Sequence, residues 1–382
     1  MLKMVDGTGI IGVDMVCPLG GVVSPPQPPN FDKVEVEGVG GLMLPNSLKA
    51  PLERVELIGN STQSENPSPD NPQEIKSAGR FDEASGKYLL DVKVTGRNIL
   101  SDVKGVYNIF VPCPIKAGTT VTLITNGVES DGGNILFATD SGEDYWYAIN
   151  KGVTKVARSI NKNVIGFKNL LGKKEGLKYC LTIGENDKYE PYTEQTVQIA
   201  LDEPLRGIRR PFNEEFIQET LSQSGITRRF KEVEITKNAR IITDLGDYGA
   251  SEINSILARY PDASLKKAGA VLCEELKIGI SWNSEEESVS MTEQGIDFRL
   301  SRERLGLGSD TTPEENKVAV IKYLENHPLH CIAELNVPTT EPLPESVQQQ
   351  LQALHSENGT THVFVDSGEV PCGIKLTYRK EI

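Results

Sequence analysis

From Phe31 onward, apolar and polar residues alternate with the two-residue period of a strand that buries one face. Val34 and Val36 alternate with Lys33, Glu35 and Glu37, Val55 and Leu57 with Arg54 and Glu56, and Leu90, Val92 and Val94 with Asp91, Lys93 and Thr95. The rhythm returns at Thr120 to Thr125, Tyr145 to Ile149, Lys178 to Ile183 and Gln195 to Leu201. Turn formers separate the runs: Asn126-Gly127, Asp131-Gly132-Gly133, Ser141-Gly142 and Gly184-Glu185-Asn186-Asp187. Short alternating strands with this punctuation predict a β-sandwich of the jelly-roll kind, not an α/β enzyme.

The second half resumes strands at Lys231 to Ile235, Ile278 to Trp282, Ile296 to Leu300, Leu329 to Leu335, Thr361 to Val365 and Gly373 to Tyr378. Between the halves, Asn213 is expected to open a short helix with Phe216, Ile217, Thr220 and Leu221 on one face, giving a helical connector over 211–225. Three further helices are predicted. Ile253, Ile256, Leu257 and Tyr260 have helical spacing, Val318, Ile321 and Leu324 follow the capping-box sequence Thr312-Pro313-Glu314-Glu315, and Val347, Leu351 and Leu354 form a stripe within Pro344 to Ser356. The expected architecture is mainly β: an extended arm with a Pro-rich linker (1–30), a first jelly-roll-like β-sandwich (31–210), the connector, and a second sandwich interrupted by helices (226–382). The arm reading rests on Gly-rich apolar sequence that runs into Ser-Pro-Pro-Gln-Pro-Pro-Asn at 24–30, a semi-rigid extended segment.

Composition narrows the function. The chain has 382 residues, enough for two or three domains, and its 40 basic against 54 acidic side chains give a net charge of −14. Such an excess repels a phosphate backbone, so nucleic-acid binding is not expected. No run of about 18 apolar residues suits membrane insertion. Lys3 followed by Asp6 and Asp14 does not suit an export signal. The six cysteines include no pair at two-residue spacing and read as reduced buried thiols of a chain made in a cytosol. His327 and His330 flank Pro328, which ends any helical clamp, so no metal site and no cofactor are expected.

Catalytic signatures are missing: there is no phosphate-binding Gly loop, no His-Glu-x-x-His and no Gly-x-Ser-x-Gly. Asp140, Glu143 and Asp144 beside Tyr145-Trp146-Tyr147 resemble a carboxylate dyad, but acidic neighbours are common in so acidic a chain, and the loop lacks the spacing of a calcium site. The same stretch reads better as a surface for sugar: alternation puts Tyr145 and Tyr147 on one sheet face and Trp146 on the other. Tyr145, Trp146, Tyr147 and Trp282 are therefore the candidate glycan-binding residues, with buried core as the competing role for each.

One resemblance comes from local sequence. The run from Ala50 to Ile75, Ala-Pro-Leu-Glu-Arg-Val-Glu-Leu-Ile-Gly-Asn-Ser-Thr-Gln-Ser-Glu-Asn-Pro-Ser-Pro-Asp-Asn-Pro-Gln-Glu-Ile, resembles the opening of minor structural proteins in the tails of phages and prophages of Gram-positive bacteria. Gly96-Arg97-Asn98-Ile99-Leu100 is similar to the start of that family's sandwich module, with Arg97 and Ile99 as departures. Tyr189-Glu190-Pro191-Tyr192 and Val197 through Leu201-Asp-Glu-Pro-Leu-Arg-Gly207 resemble its closing strand and exit. Ala333-Glu334-Leu335 through Leu343, with Asn358-Gly-Thr-Thr-His-Val363, resembles its C-terminal ending.

The resemblance implies a virion protein of the tail tip, baseplate or a fibre, made in the host cytoplasm and built of carbohydrate-binding-like sandwiches. Implied partners are other virion proteins, further copies of the chain and a host cell-surface glycan. It transfers no catalytic residue, and the chain is expected not to be an enzyme. The absence of a sustained heptad excludes a long coiled-coil shaft. A head-decoration or head-fibre protein, and a glycan-degrading enzyme, stand as alternatives.

Overall fold

The computed structural model describes residues 31–39, 41–47, 51–101, 109–142, 144–172, 174–211, 213, 215–243, 255–279, 286–293, 295–357 and 359–381. The expected arm over 1–30 lies outside them. The chain is built almost wholly from antiparallel sheets, as the alternation requires. It divides into two units that are interleaved along the sequence. One comprises the described residues of Met1–Leu57, Arg80–Asp202 and Leu343–Ile382, and the other comprises those of Ile58–Gly79 and Glu203–Pro342. This differs from the two consecutive modules expected at 31–210 and 226–382. Strand partners are set by register, and Gly359–Asp366 and Gly373–Glu381 pair with strands of the first unit.

In the first unit, residues of the predicted jelly-roll module form two facing sheets. One has the order Asp144–Ile149, Gly133–Thr139, Val164–Leu171, Phe110–Ile115; the other has Lys155–Ser159, Thr120–Thr125, Tyr179–Ile183. Ile135, Phe137, Tyr147 and Phe167 from the first sheet meet Val121, Leu123 and Leu181 from the second in one apolar core. Phe137 packs edge-on against both Tyr147 and Phe167. Asn98, in the segment Gly96 to Leu100, anchors this sandwich: its Oδ1 accepts from the Leu100 and Leu181 amides at 3.0 Å each, and its Nδ2 donates to the Glu190 carbonyl at 3.0 Å.

The same unit carries a second pair of sheets. Glu194–Leu201, Lys87–Thr95, Gly359–Asp366 and Gly41–Ser47 lie in that order, with Arg80–Asp82 also paired to Lys87–Thr95. Phe31–Val39, Gly373–Glu381 and Leu52–Ile58 form a further set. The helix expected within Pro344 to Ser356 is present as Glu345–Ala353 and buries Leu351.

In the second unit, Thr220–Ser222, Gly225–Ile235, Leu329–Glu341 and Val271–Cys273 are neighbours in one sheet, and Ser255–Tyr260, Ile296–Ser301, Ser288–Met291 and Lys277–Ile278 in another. Phe298, Leu300, Leu329, Val320 and Leu324 belong to their common core. Helix Pro313–Leu324 begins with the predicted capping box: Thr312 and Glu315 exchange side-chain-to-backbone bonds. The Pro-rich loop of 67–72 is pinned by Arg304, whose NH1 and NH2 donate to Asp70 at 2.9 and 2.8 Å while its Nε donates to Glu287 at 2.7 Å.

Two predicted helices are strands. Residues 211–225 hold no helix among the described residues; Phe216–Gln218 pairs with Gly207–Arg209, and Thr220–Ser222 turns back into Gly225–Ile235. Ile217, Glu219 and Leu221 are buried at alternate positions there, followed by Ser222 and Gly225 at the turn, a strand rhythm disguised by a charged member. Likewise Ser255–Tyr260 is a strand whose Ile256 and Ala258 face the core, with Arg259 opposite Asp297 in the adjacent strand. In so short a window the helical spacing of Ile256, Leu257 and Tyr260 is a coincidence. Among the described residues no helix is long and apolar enough to cross a membrane.

Candidate functional site

The three strands Glu194–Leu201, Lys87–Thr95 and Gly359–Asp366 place side chains on two faces. Leu90, Val92, Val94, Val197, Ile199, Val363 and Val365 share the buried one. The opposite face is a grid of rows fixed by register: Gln198–Asp91–Asp366, Thr196–Lys93–Phe364 and Glu194–Thr95–His362. Phe364 leaves this grid to join the core of the jelly-roll sandwich, so the sandwich covers one side of the face. What stays open is a cleft of about 500 Å³, floored by Asp91, Lys93, Thr196 and Gln198 and walled by Ile109, Phe110 and Tyr192.

Polar groups on the cleft are held in place. Asp91 accepts from Gln198 Nε2 at 2.8 Å and from an Arg80 NH2 at 2.9 Å. Glu194 takes Lys93 Nζ at 3.2 Å and a hydrogen bond from the Tyr192 hydroxyl. Burial, reinforced by Glu194, pushes the Tyr192 phenol far above its ordinary range, so it remains a donor at any physiological pH. Ile109 and Phe110 are 53% and 41% exposed, an apolar wall beside this polar floor. An apolar wall beside oriented carboxylates, an amide and an ammonium is the arrangement that takes a ring with hydroxyls on its edge and C–H groups on its face.

Phe110 also belongs to an outward-facing row of the sandwich, Trp146–Leu136–Lys168–Phe110. Its ring lies over Gly166, where a Cβ would fall 2.2 Å from it, so the bare glycine backbone is what lets the ring settle. Trp146, at the other end of the row and 56% exposed, is three strand spacings from Phe110, about 14 Å.

The sequence candidates therefore separate. Trp146 faces outward. Tyr147 is fully buried, its hydroxyl donating to the Val121 and Val156 carbonyls at 2.6 and 3.0 Å across the sandwich, and burial pushes its phenol up to about 12. Tyr145 shares that inward face, partly buried and packed on the same core. Trp282 and Glu143 lie outside the described residues. Asp140 accepts from Asn163 Nδ2 at 3.0 Å. The cleft residues were missed because the alternating polar positions of a strand look solvent-facing. The one signal for a second covered face was Phe364, an aromatic on the polar side of its strand.

In the second unit, Glu274, Glu275 and His330 bring three potential ligand atoms within 4.8 Å of one another. The group is built as an ion pair: Glu275 meets His330 Nδ1 at 2.7 Å and its backbone N–H at 2.9 Å, and raises the imidazole pKa.

No family model and no curated protein matches the chain. Among solved structures it aligns with a chain from infectious bursal virus derived T=1 particles, at a TM-score of 0.09 and 9% identity, over 94% of this chain and 81% of that one. A likeness this low carries no conclusion.

Proposed function

We propose that the protein is a structural component of a phage tail tip, baseplate or fibre whose first unit holds a host-surface saccharide in the cleft at Phe110, Tyr192 and Glu194. The observation that carries this reading is where the cleft's residues come from. Ile99 lies in the segment similar to the start of the family's sandwich module, and Tyr192, Val197 and Gln198 lie in those that resemble its closing strand. The segments that suggest a tail protein thus contribute four residues to the concave site, and Phe110, Glu194 and the floor of Asp91, Lys93 and Thr196 come from the strands between them. The reading assigns binding and no catalytic step. Trp146 extends the site for an oligosaccharide long enough to span about 14 Å.

Titration calorimetry of the full chain with soluble wall polysaccharide from a Gram-positive host is the test. Tyr192→Ala and Phe110→Ala are expected to weaken binding about tenfold or more, the loss of a stacking or hydrogen-bonding anchor. Trp146→Ala should weaken binding to long chains and not to short ones. Undiminished binding by the two cleft variants would exclude the cleft, and immunogold label absent from the tail of intact particles would exclude the virion role.

A further inference from the structure

The edge strand Val271–Cys273 pairs with Leu329–Glu341 so that Cys273 stands directly opposite Cys331. Their neighbours fix which kind of pair this is. The Glu274 amide donates to the His330 carbonyl at 3.0 Å and the Glu334 amide to the Ala270 carbonyl at 2.9 Å, so 274/330 and 270/334 are hydrogen-bonded pairs. Such pairs alternate with non-hydrogen-bonded ones along an antiparallel ladder, and 273/331 falls at the second kind. There, opposed Cα atoms approach to about 4.5 Å, within the roughly 4.4–6.8 Å that a disulfide spans.

Both side chains are buried and both thiols are free. Burial, and then a hydrogen bond to Cys331, holds the Cys273 thiol well above its ordinary pKa, and Cys273 Sγ also lies 3.3 Å from Glu275 Oε2. The other described cysteines, Cys113, Cys180 and Cys372, all belong to the other unit.

We propose that Cys273 and Cys331 form a dithiol that closes to a cross-strand disulfide when the chain meets a peroxide, stapling the three-residue edge strand to its long neighbour. The chemistry balances with one hydrogen peroxide. When local opening returns one thiol to water, its pKa falls back toward the ordinary range and it loses its proton; the thiolate attacks the O–O bond, an S–O bond forms, the O–O bond breaks and one water leaves after protonation. The second sulfur then attacks the first, the S–S bond forms, the S–O bond breaks and a second water leaves. Two thiols lose two electrons to the peroxide. The strand has one neighbour in its sheet, and on its outer side the Cys273 carbonyl accepts from Gln63 Nε2 at 2.6 Å and the Glu274 carbonyl from the Gln73 amide at 2.8 Å, so access for the peroxide comes through local opening of these bonds. A chain made in a reducing cytosol and then carried outside would cross this boundary once, from open to stapled.

The test uses the full wild-type chain, purified reduced, incubated with hydrogen peroxide, then denatured in excess iodoacetamide and digested for mass spectrometry. The expected result is one cross-linked peptide pair joining Cys273 to Cys331, loss of carbamidomethyl label at both, and recovery of the label after dithiothreitol. The stapled chain should also melt at a higher temperature than the reduced one, and Cys273→Ser should lose both the cross-link and this rise. Full labelling of both cysteines after peroxide, or conversion to sulfinic acid without the cross-linked peptide, overturns the proposal.

Discussion

Gly59 and Gly207 lie backbone against backbone: a Cβ on Gly207 would fall 2.3 Å from the Gly59 carbonyl oxygen, and one on Gly59 would fall 2.4 Å from the Arg206 oxygen. Two segments that looked unrelated along the chain, the Gly-Asn-Ser-Thr-Gln turn and the Leu-Arg-Gly exit, thus meet at a contact that only glycines permit. Gly207→Ala is expected to destabilise the second unit by roughly 1–3 kcal/mol or more, because rigid backbone on the far side cannot yield. A urea midpoint equal to wild type would contradict the contact.

Arg304 joins two carboxylates, and its removal is expected to cost more than the removal of either partner. Arg304→Met leaves the half-buried Glu287 without its cation, an uncompensated charge worth about 1–3 kcal/mol. Asp70→Ala, at an exposed position, should leave the melting temperature nearly unchanged and speed amide exchange or proteolysis within 66–72.

Glu219 is fully buried, and its carboxylate accepts from Arg228 NH1 at 3.1 Å and from the amides of Arg206, Arg229 and Phe230 at 3.0, 3.1 and 3.3 Å. Glu219→Gln neutralises it, leaves Glu341 at 3.0 Å from Nε as the charge still facing Arg228, and turns a side-chain NH2 toward amides that the carboxylate had accepted from. A loss of about 1–3 kcal/mol is expected in equilibrium unfolding. A loss below about 1 kcal/mol would mean that water enters and solvates the site.

His362 gives the chain a pH signature. Its Nε2 has no hydrogen-bond partner among the described residues, and burial, helped by the nearby Arg97, lowers its pKa from 6.5 to about 4. Between these values the unfolded chain carries the proton and the folded chain does not. Stability from this residue is therefore complete above about pH 6.5 and is lost as pH falls to about 4, by roughly 3 kcal/mol. Urea titrations at several pH values should show this slope in the wild type and a flatter one in His362→Leu.

Tyr147 belongs to the core and Trp146 beside it to the outward face. Tyr147→Phe removes one buried hydroxyl hydrogen bond while the Val121 and Val156 carbonyls keep their ladder bonds from the Arg158 and Leu123 amides, and should cost about 0.5–1.5 kcal/mol of stability while leaving saccharide affinity unchanged. A fall in affinity with unchanged stability would reverse the assignment.

Strands with clean alternation, such as Thr120–Thr125 and Ile296–Ser301, were legible in the sequence, as were the capping box at Thr312 and the placement of Trp146 on the sheet face opposite Tyr145 and Tyr147, though not which of the two faces is buried. Others were hidden by their own residues. Phe110–Ile115 contains two prolines, Val164–Leu171 contains Gly166, and Glu219 puts a charge where an apolar side chain marks the inward face. The cleft was hidden for a different reason. Asp91, Gln198 and Asp366 are far apart in sequence, and only cross-strand register sets them in one row.

The interleaving of the units orders their completion during synthesis. All of Ile58–Gly79 and Glu203–Pro342 has been made before Leu343–Ile382 emerges, so the second unit can close while the first still lacks Gly359–Asp366 and Gly373–Glu381. The strand Lys87–Thr95, which carries the floor of the cleft, then waits with its edge over 91–95 unpaired until Gly359–Asp366 arrives. A nascent chain cut short before those strands would hold its sandwich but have neither Asp366 nor Phe364. It would leave the ribosome with an exposed strand edge in place of a finished cleft.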